Sequence, residues 1–386
     1  MSESPAISKE LARGKFTDQM LAQMRALIGT NLRTESCVNN EYATRMAILR
    51  FCEGIGDDNP LWTDPAYGAA SRFGTQIAPP SFIFCCLGSV QVGWPGLGGF
   101  HCETRMKFGP PIKVGDRIDA SVVFDGFDGP IDDSSFGGRR IKDYLRQEYR
   151  DQDGELVATF ICSRMRFERT EMQKRGAERS AKRDFELPHP WTDAELHAIE
   201  EDVLAETPRG ATPRYWDDVQ VGDEIDKVTK GPIGLTDEIA FIAAGAAPIP
   251  RISAHGVALK RYRKHPAWAF RDPSTMALEP VYSVHYNDYA ARLQGAQIAY
   301  DVGIQRTCWG IQALTNWCGD AGSVKEIFQQ YRAHVYLSDV VRIGGRVEKK
   351  EIDADGDAVV HLTTWAHNQR GQNCMPGTAI VRLPRK

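Results

Sequence analysis

Two short segments carry the groups best able to move protons near neutral pH. The first is Gly56-Asp57-Asp58-Asn59-Pro60-Leu61-Trp62, with a carboxyl and a carboxamide two residues apart. The second is His285-Tyr286-Asn287-Asp288, an imidazole followed by a carboxamide and a carboxyl. Such groups serve as general acids and bases when folding brings them within hydrogen-bond reach of one proton. A third segment, Tyr300-Asp301-Val302-Gly303-Ile304-Gln305-Arg306, places an acid and a guanidinium close enough to pair or to work on a ligand. Each has a plainer reading as well. Gly-Asp-Asp-Asn-Pro is turn chemistry, His285 reads equally as a satisfied strand-end histidine, and Asp301 with Arg306 reads as a structural ion pair. Other chemistries are missing from the sequence. There is no G-x-x-x-x-G-K-[ST], G-x-S-x-G or H-E-x-x-H. Gly96, Gly98 and Gly99 lack the strand-loop-helix spacing of a dinucleotide loop. His361 and His367 alternate on one strand without a third ligand for a metal. Neither a metal nor a cofactor is expected.

The elements that must position these groups come next. A helix over 41–55 presents Ala47, Ile48, Phe51 and Cys52 as an apolar stripe and stops at Gly54-Ile55-Gly56, delivering Asp57. Strand patterns cover 145–150 and 157–167, joined by the turn at 151–154, and again 341–349, 359–366 and 377–383. The chain repeats itself. Phe73-Gly74-Thr75-Gln76-Ile77-Ala78 in the first half answers Gln294-Gly295-Ala296-Gln297-Ile298-Ala299 in the second, each before an apolar run. Each half therefore reads as an early helix followed by antiparallel strands, an α+β pattern, and two such units make an intramolecular pseudo-dimer. The uncharged stretch 73–102 is expected to be a buried core helix with a glycine-rich exit, not a membrane span, because it carries three prolines and six glycines. Between the halves, 169–212 reads as a connector. Its basic run (169–184) is expected to be solvated, and Thr192 with Glu195 forms a capping box that opens a helix to about 205.

Composition narrows the function classes. The 386 residues suit two domains. Lys and Arg total 47 against 51 Asp and Glu, a net charge of −4, which argues against a protein built to grip nucleic-acid phosphates. The nine cysteines are odd in number and lack C-x-x-C spacing, so the chain suits a reducing compartment such as the cytoplasm. The N-terminal stretch has no apolar signal region.

The motif G-D-D-N-P-L-W followed by R-F-G-T-Q-I-A-P-P-S-F resembles the MaoC-like hydratase/dehydratase group of hotdog-fold proteins, in particular those whose N-terminal half is a fatty-acid-synthase-type dehydratase domain. Gly56, Asp57, Asn59 and Pro60 match the family pattern G-D-x-N-P-x-H, with Trp62 in the place of its histidine. In the second half His285, Ala291 and Gly295 fit H-x-D-x-x-x-A-x-x-x-G, with Asn287 where Asp is usual. There Gly245-Ala246-Ala247-Pro248 stands where the family has G-D-x-N-P. The resemblance implies a double hotdog, two curved antiparallel sheets each wrapped on a central helix, with an N-terminal hotdog at 20–168, the connector at 169–212 and a C-terminal hotdog at 213–386. It implies hydration of an enoyl-CoA or dehydration of a 3-hydroxyacyl-CoA without a cofactor. An Asp and a His would share the proton work, and a backbone N–H at the central helix's N-terminus would polarise the thioester carbonyl. It also implies a homodimer or higher homo-oligomer.

Neither half holds a complete Asp–His pair, so three arrangements stay open. One is a site at His285, with Asp288, Asp301 or Asp320 supplying the second carboxyl. Another joins Asp57 and His285 across the pseudo-dimer. The third is a degenerate acyl-CoA binder, the non-catalytic subunit of a hydratase complex. The expected catalytic set is His285, Asp57, Asn59 and Asp301. The expected substrate contacts are Trp62, Tyr286, Asn287, Tyr300, Gly303 and Arg306. The bulky aromatic residues among them suggest a branched, cyclic or steroid-like acyl group. A hotdog thioesterase is the competing enzyme class, since the fold serves both chemistries.

Overall fold

A computed structural model describes residues 8, 10–35, 37–88, 90, 92–246 and 252–386. Ala247 and Pro248 of the second-half motif, and the side chain of Ala246, lie outside the described residues. The first half supplies β1 (Leu97–Phe108), β2 (Asp119–Asp133), β3 (Gly138–Arg150) and β4 (Leu156–Glu168). The second supplies β5 (Val228–Lys230), the small hairpin β6 (Ala269–Arg271) and β7 (Leu278–Pro280), then β8 (Ser323–Gln330), β9 (Val341–Ile352), β10 (Ala358–Asn368) and β11 (Gly377–Arg382). Nine of these form one antiparallel sheet, in the order β2-β3-β4-β1-β8-β11-β10-β9-β5. Counted outward from the central β1–β8 pairing, the four long strands of each half run first, fourth, third, second in chain order, and the short β5 adds an edge strand to the second half. That identity of topology is the pseudo-dimer, and the β1–β8 ladder, from Glu103 opposite Gln330 to Lys107 opposite Glu326, makes the two sheets continuous.

The helices are α1 (Asp18–Arg25), α2 (Arg45–Ile55), α3 (Pro60–Thr63), α4 (Pro65–Ala70), α5 (Ile83–Cys86), α6 (Arg169–Ala181), α7 (Asp193–Leu204), α8 (Leu235–Phe241), α9 (His255–Lys264), α10 (Asp288–Leu293) and α11 (Gly303–Cys318). Helix α2 starts four residues later than the apolar stripe suggests. The Thr44 hydroxyl accepts the Ala47 N–H at 3.1 Å and fixes the N-cap there. The helix ends at Gly56, whose φ of 66° suits glycine best.

The expected core helix in 73–102 shrinks to a 3₁₀ turn at Pro80–Phe82 running into α5. The central helix of the second half, α11, is sixteen residues long, and all but Gly303 are buried. Burial on every side obliges its polar residues to find partners. Thr307 bonds the Tyr331 hydroxyl, and Gln312 Nε2 donates to the Gly56 carbonyl at 3.0 Å, tying the helix to the first half. At Gly310 a Cβ would fall 2.3 Å from the Gln329 side chain, so glycine lets α11 lie against β8.

β1, β2, β5, β6, β7 and β8 escape the sequence pattern, the first two because of glycine and proline. β1 opens on Gly98-Gly99, and β2 contains Gly126, Gly129 and Pro130, which read as loop signals. The ladder to β3 absorbs them as register shifts at Phe124/Gly126 and Asp128/Ile131. The basic run after β4 also departs from expectation. It forms α6, docked on the second half: Gln173 Nε2 donates to the Leu293 carbonyl at 2.8 Å and Arg183 Nη1 to Gln297 Oε1 at 2.7 Å. A Cβ at Gly176 would sit 2.4 Å from the Gly295 carbonyl oxygen, so two glycines permit the docking. Helix α7 begins with the expected Thr192–Glu195 capping box.

Candidate active site

His285 ends a 3₁₀ turn, Val281–His285, that follows the β6–β7 hairpin. Its Nδ1 lies 2.8 Å from the Tyr300 carbonyl oxygen. Nδ1 therefore carries the proton and donates it, which leaves Nε2 as the basic nitrogen. The imidazole is partly buried, with ring centroids 4.8 Å from Tyr282 and 5.1 Å from Tyr300. Tyr300 in turn packs against His334 at 4.4 Å and Phe100 at 6.4 Å. Burial pushes the His285 pKa below 6.5, while the Tyr300 carbonyl and the Asp301 charge pull it partly back. The ring is neutral at pH 7, the state a general base needs.

The N-terminus of α11 lies beside this ring, because Tyr300 and Asp301 lead directly into it. Val302 at its N-cap offers no side-chain hydrogen bond. A Cβ at Gly303 would lie 3.0 Å from His101 Nδ1, so glycine here brings the helix start against β1. The positive end of a sixteen-residue helix is left without a side-chain cap, an arrangement that favours developing negative charge.

Asp301 and Arg306 do not serve as expected. Arg306 Nε donates to Asp301 Oδ2 at 2.8 Å and its Nη2 donates to Oδ1, while Nη1 donates to the carbonyls of Ala333 at 3.0 Å and Cys374 at 3.1 Å. Both residues are buried. They form a structural pair that ties the first turn of α11 to the loops before β9 and β11, and Asp301 is not a free acid. The Arg306 head group is spent on protein partners and is not a substrate contact. Asn287 is likewise occupied: its Oδ1 accepts the Ala290 N–H and caps α10, and its Nδ2 donates to Asp272 Oδ2 at 2.6 Å. Asp288 Oδ1 holds the Ala299 N–H at 2.9 Å. Asp320 accepts the Tyr67 hydroxyl at 2.7 Å and lies past the far end of α11, roughly 24 Å from Gly303 by helical rise. None of the three carboxyls proposed as a partner for His285 is placed for that work. Tyr286 lies near the site, its ring 6.4 Å from Tyr282.

The first-half motif is built as a turn. Asp57 Oδ1 accepts the Asn59 N–H at 3.2 Å, and Asn59 Oδ1 accepts the Leu61 N–H at 3.0 Å as the cap of α3. The adjacent Gly56 carbonyl receives Lys230 Nζ at 2.6 Å and Gln312 Nε2 at 3.0 Å. Gln312 is nine residues into α11, about 14 Å from Gly303 by helical rise. The motif is thus anchored on the middle of the helix, and no hydrogen bond joins Asp57 to His285 among the described residues. Burial raises the Asp57 pKa; the Trp62 indole N–H beside it, the Asn59 N–H and the Lys230 charge offset part of this. The Trp62 N–H does not reach good hydrogen-bond geometry. Its ring is core, and indole offers a donor only, so it cannot replace an imidazole as base.

Sequence reasoning missed a buried carboxyl. Glu238 on α8 is 0% exposed, and neither of its carboxyl oxygens has a hydrogen-bond partner. Burial pushes its pKa well above the ordinary carboxyl range, the charges of Asp301 and Asp237 add to the rise, and Arg306 opposes it. The signal was present. Ile48 and Phe51 are two of the five buried residues of α2, three residues apart, and Glu238 and Phe241 are the two buried residues of α8 with the same spacing. A carboxyl had replaced an aliphatic side chain on a core face. His101 and His334 were also overlooked; burial drives each pKa down to about 3, with Arg306 contributing to both.

These histidines make stability depend on pH. Each is neutral when folded and regains an ordinary imidazole pKa near 6.5 when unfolded. The unfolded chain therefore binds protons first as pH falls, so the stability is complete above about pH 6.5 and declines below it. Urea midpoints measured from pH 7.5 to about 5 should fall. In His101→Gln the slope should be shallower by about one proton, or ~1.4 kcal/mol per pH unit. An unchanged slope in that variant would refute the assignment.

Residues 26–160 match the family model described as the FAS1-like dehydratase domain region. A UPF0336 protein of Streptomyces avermitilis is 30% identical over 125 residues, which cover 30% of this chain and 79% of that protein. Among solved structures, a MaoC-like dehydratase superposes with a TM-score of 0.62 at 15% identity, covering 93% of this chain and 99% of that one. A conserved Mycobacterium tuberculosis protein described as having a double hotdog fold gives 0.53 at 12% identity, covering 92% and 96%. The chain belongs with the UPF0336 proteins through the FAS1-like dehydratase region in its first half, and it has the double hotdog fold, shared with the MaoC-like dehydratase it superposes on. No described helix is long and apolar enough to cross a membrane.

Proposed function

We propose that the protein hydrates an α,β-unsaturated acyl-CoA, or dehydrates the 3-hydroxyacyl-CoA, at a single site in its second half. The observation that carries this reading is His285: a neutral imidazole with Nδ1 pinned to a backbone carbonyl, beside the uncapped N-terminus of α11. The thioester carbonyl would rest at that N-terminus, where enolate charge is stabilised. His285 Nε2 would take a proton from water as the oxygen attacks C3. The reaction asks only for proton transfers and a fixed dipole. Partly exposed rings at the site, Phe100, His334 and Tyr286, suit a bulky or cyclic acyl group.

A basic cleft supports a CoA carrier. A surface cavity of about 290 Å³ is lined by four cations of the α6 segment, Arg175, Arg179, Lys182 and Arg183, against two acids, Glu178 and Asp184, with Phe185 and Gln297. The Arg179 charge is felt by both His334 and Tyr336, so the cleft neighbours the His285 rings. Guanidinium and ammonium groups here suit the phosphates of CoA. Replacing Lys182 and Arg183 together by Glu should raise KM for a CoA ester by about tenfold or more, since each 1.4 kcal/mol of lost binding is tenfold. KM for the phosphate-free N-acetylcysteamine ester should stay the same. Equal effects on both esters would remove the CoA assignment.

The reading itself is tested with enoyl-CoAs from crotonyl to cyclic and steroidal, following loss of the enoyl-thioester absorbance with a thiol reagent in parallel. Band loss without thiol release supports the hydratase. Thiol release would make the protein a thioesterase, and tight binding without turnover would make it a non-catalytic subunit.

A further inference from the structure

Resting on the hydratase reading, we propose that Glu238 is the second catalytic group of the site, a neutral carboxylic acid that exchanges the proton at the α-carbon while His285 handles the water. Two observations carry it. First, Glu238 is wholly buried with both oxygens unpartnered. Leaving a polar group unsatisfied in a core is costly, and folds seldom keep such a group without a use for it. It has no structural bond to account for it, unlike Asp57, Asp288, Asp301 and Asp320. Second, other buried atoms without partners lie on the elements that flank Glu238 and His285, among further such atoms elsewhere in the molecule. The Tyr282 hydroxyl, the Ser283 hydroxyl and Gln305 Oε1 are also buried without partners. Tyr282 and Ser283 lie in the turn that ends at His285, and Gln305 lies in the first turn of α11 and reaches the Asp237 carbonyl at 3.4 Å, next to Glu238. Tyr282 links the two reactive groups, with its ring 4.8 Å from His285 and its hydroxyl within the field of Glu238. Asp301 acts electrostatically on both. A polar ligand entering between these elements would supply the partners these atoms lack.

The proton balance closes without a further reagent. In hydration, water loses a proton to His285 Nε2 and its oxygen bonds C3. The C2–C3 π electrons shift towards the thioester oxygen at the α11 N-terminus, and the Glu238 proton is delivered to C2. The imidazolium then returns one proton to solvent and the Glu238 carboxylate regains one. Dehydration runs the same steps backwards. The like charge of Asp301 helps keep Glu238 protonated at neutral pH, ready to donate.

The test is Glu238→Gln, which keeps shape and neutrality and so should fold. Its melting temperature should match or exceed that of the wild type. With the enoyl-CoA that the wild type hydrates, kcat should fall 10²–10⁴-fold and KM should change little. Glu238→Asp should restore part of the rate. The wild-type rate should decline at alkaline pH as the acid is lost, and this limb should be missing from the residual activity of Glu238→Gln. Full activity in a folded Glu238→Gln, with activity abolished in His285→Ala, would overturn the role of Glu238 and leave the hydratase reading standing. No turnover of any enoyl-CoA by the wild type would overturn both. Should Glu238→Gln fail to fold, a folded Glu238→Leu that keeps the wild-type rate and its alkaline limb would equally refute the proposal.

Discussion

His285→Ala should lose 10²–10⁴-fold in kcat for enoyl-CoA hydration while Asp57→Asn stays within about threefold of the wild type, so that the two family motifs part company. The contrast follows from what each residue touches. His285 has one nitrogen committed to the Tyr300 carbonyl and the other free to serve as base at a helix N-terminus. Asp57 has its oxygens in a turn, with Trp62 where the family pattern carries an imidazole. The expected cost of Asp57→Asn is stability, because its oxygen organises the entry to α3. The acid limb of the wild-type rate should lie below pH 6.5, since burial keeps His285 neutral there. Stopped-assay kinetics of the two variants decide the matter, and loss of rate in Asp57→Asn with an active His285→Ala would move the site to the first half.

Asp301→Asn should cost about 3–5 kcal/mol of folding stability. The aspartate takes two contacts from Arg306, and both side chains are buried, with relative exposures of 1% and 2%. Removing its charge leaves a guanidinium without its counterion in the core. Replacing both residues together, Asp301→Asn with Arg306→Met, should destabilise less than Asp301→Asn alone, because no unpaired charge remains. Denaturant titrations measure both. A loss under about 1 kcal/mol in Asp301→Asn would show that the pair is not the buried bridge described. Activity should also fall in Asp301→Asn, through His285 and the first turn of α11, and should recover with temperature-stabilising conditions less than the fold does.

Much of the frame was legible because it is written in local periodicity. The α2 stripe, the hairpin at 151–154, the capping box at Thr192 and the C-terminal strands all declare themselves within a dozen residues. What blurred the rest was glycine and proline inside long strands. β2 keeps its pairing through bulges at Gly126 and Asp128/Ile131, and only the partner strand reveals that these are not loops. The connector misled for a similar reason. A run of basic residues looks solvated until Gly176 and Gly295 are seen to let α6 lie on the second half.

For this protein the sequence by itself determined the family, the doubled architecture and His285 as a candidate base, because motif spacing and repeated hydrophobic patterns survive without coordinates. Only the tertiary structure decided which candidates are free to act. Asp301, Arg306, Asn287, Asp288 and Asp57 carry the right chemical groups, yet their polar atoms are spent on partners that are distant in sequence or hidden in turns. Glu238, which no motif marked, is the carboxyl left unspent. Availability of a proton-transfer group depends on burial and on the bonds it already makes. Both arise from long-range packing, here of α8 and the 281–285 turn around the first turn of α11, which residue types and local spacing do not encode.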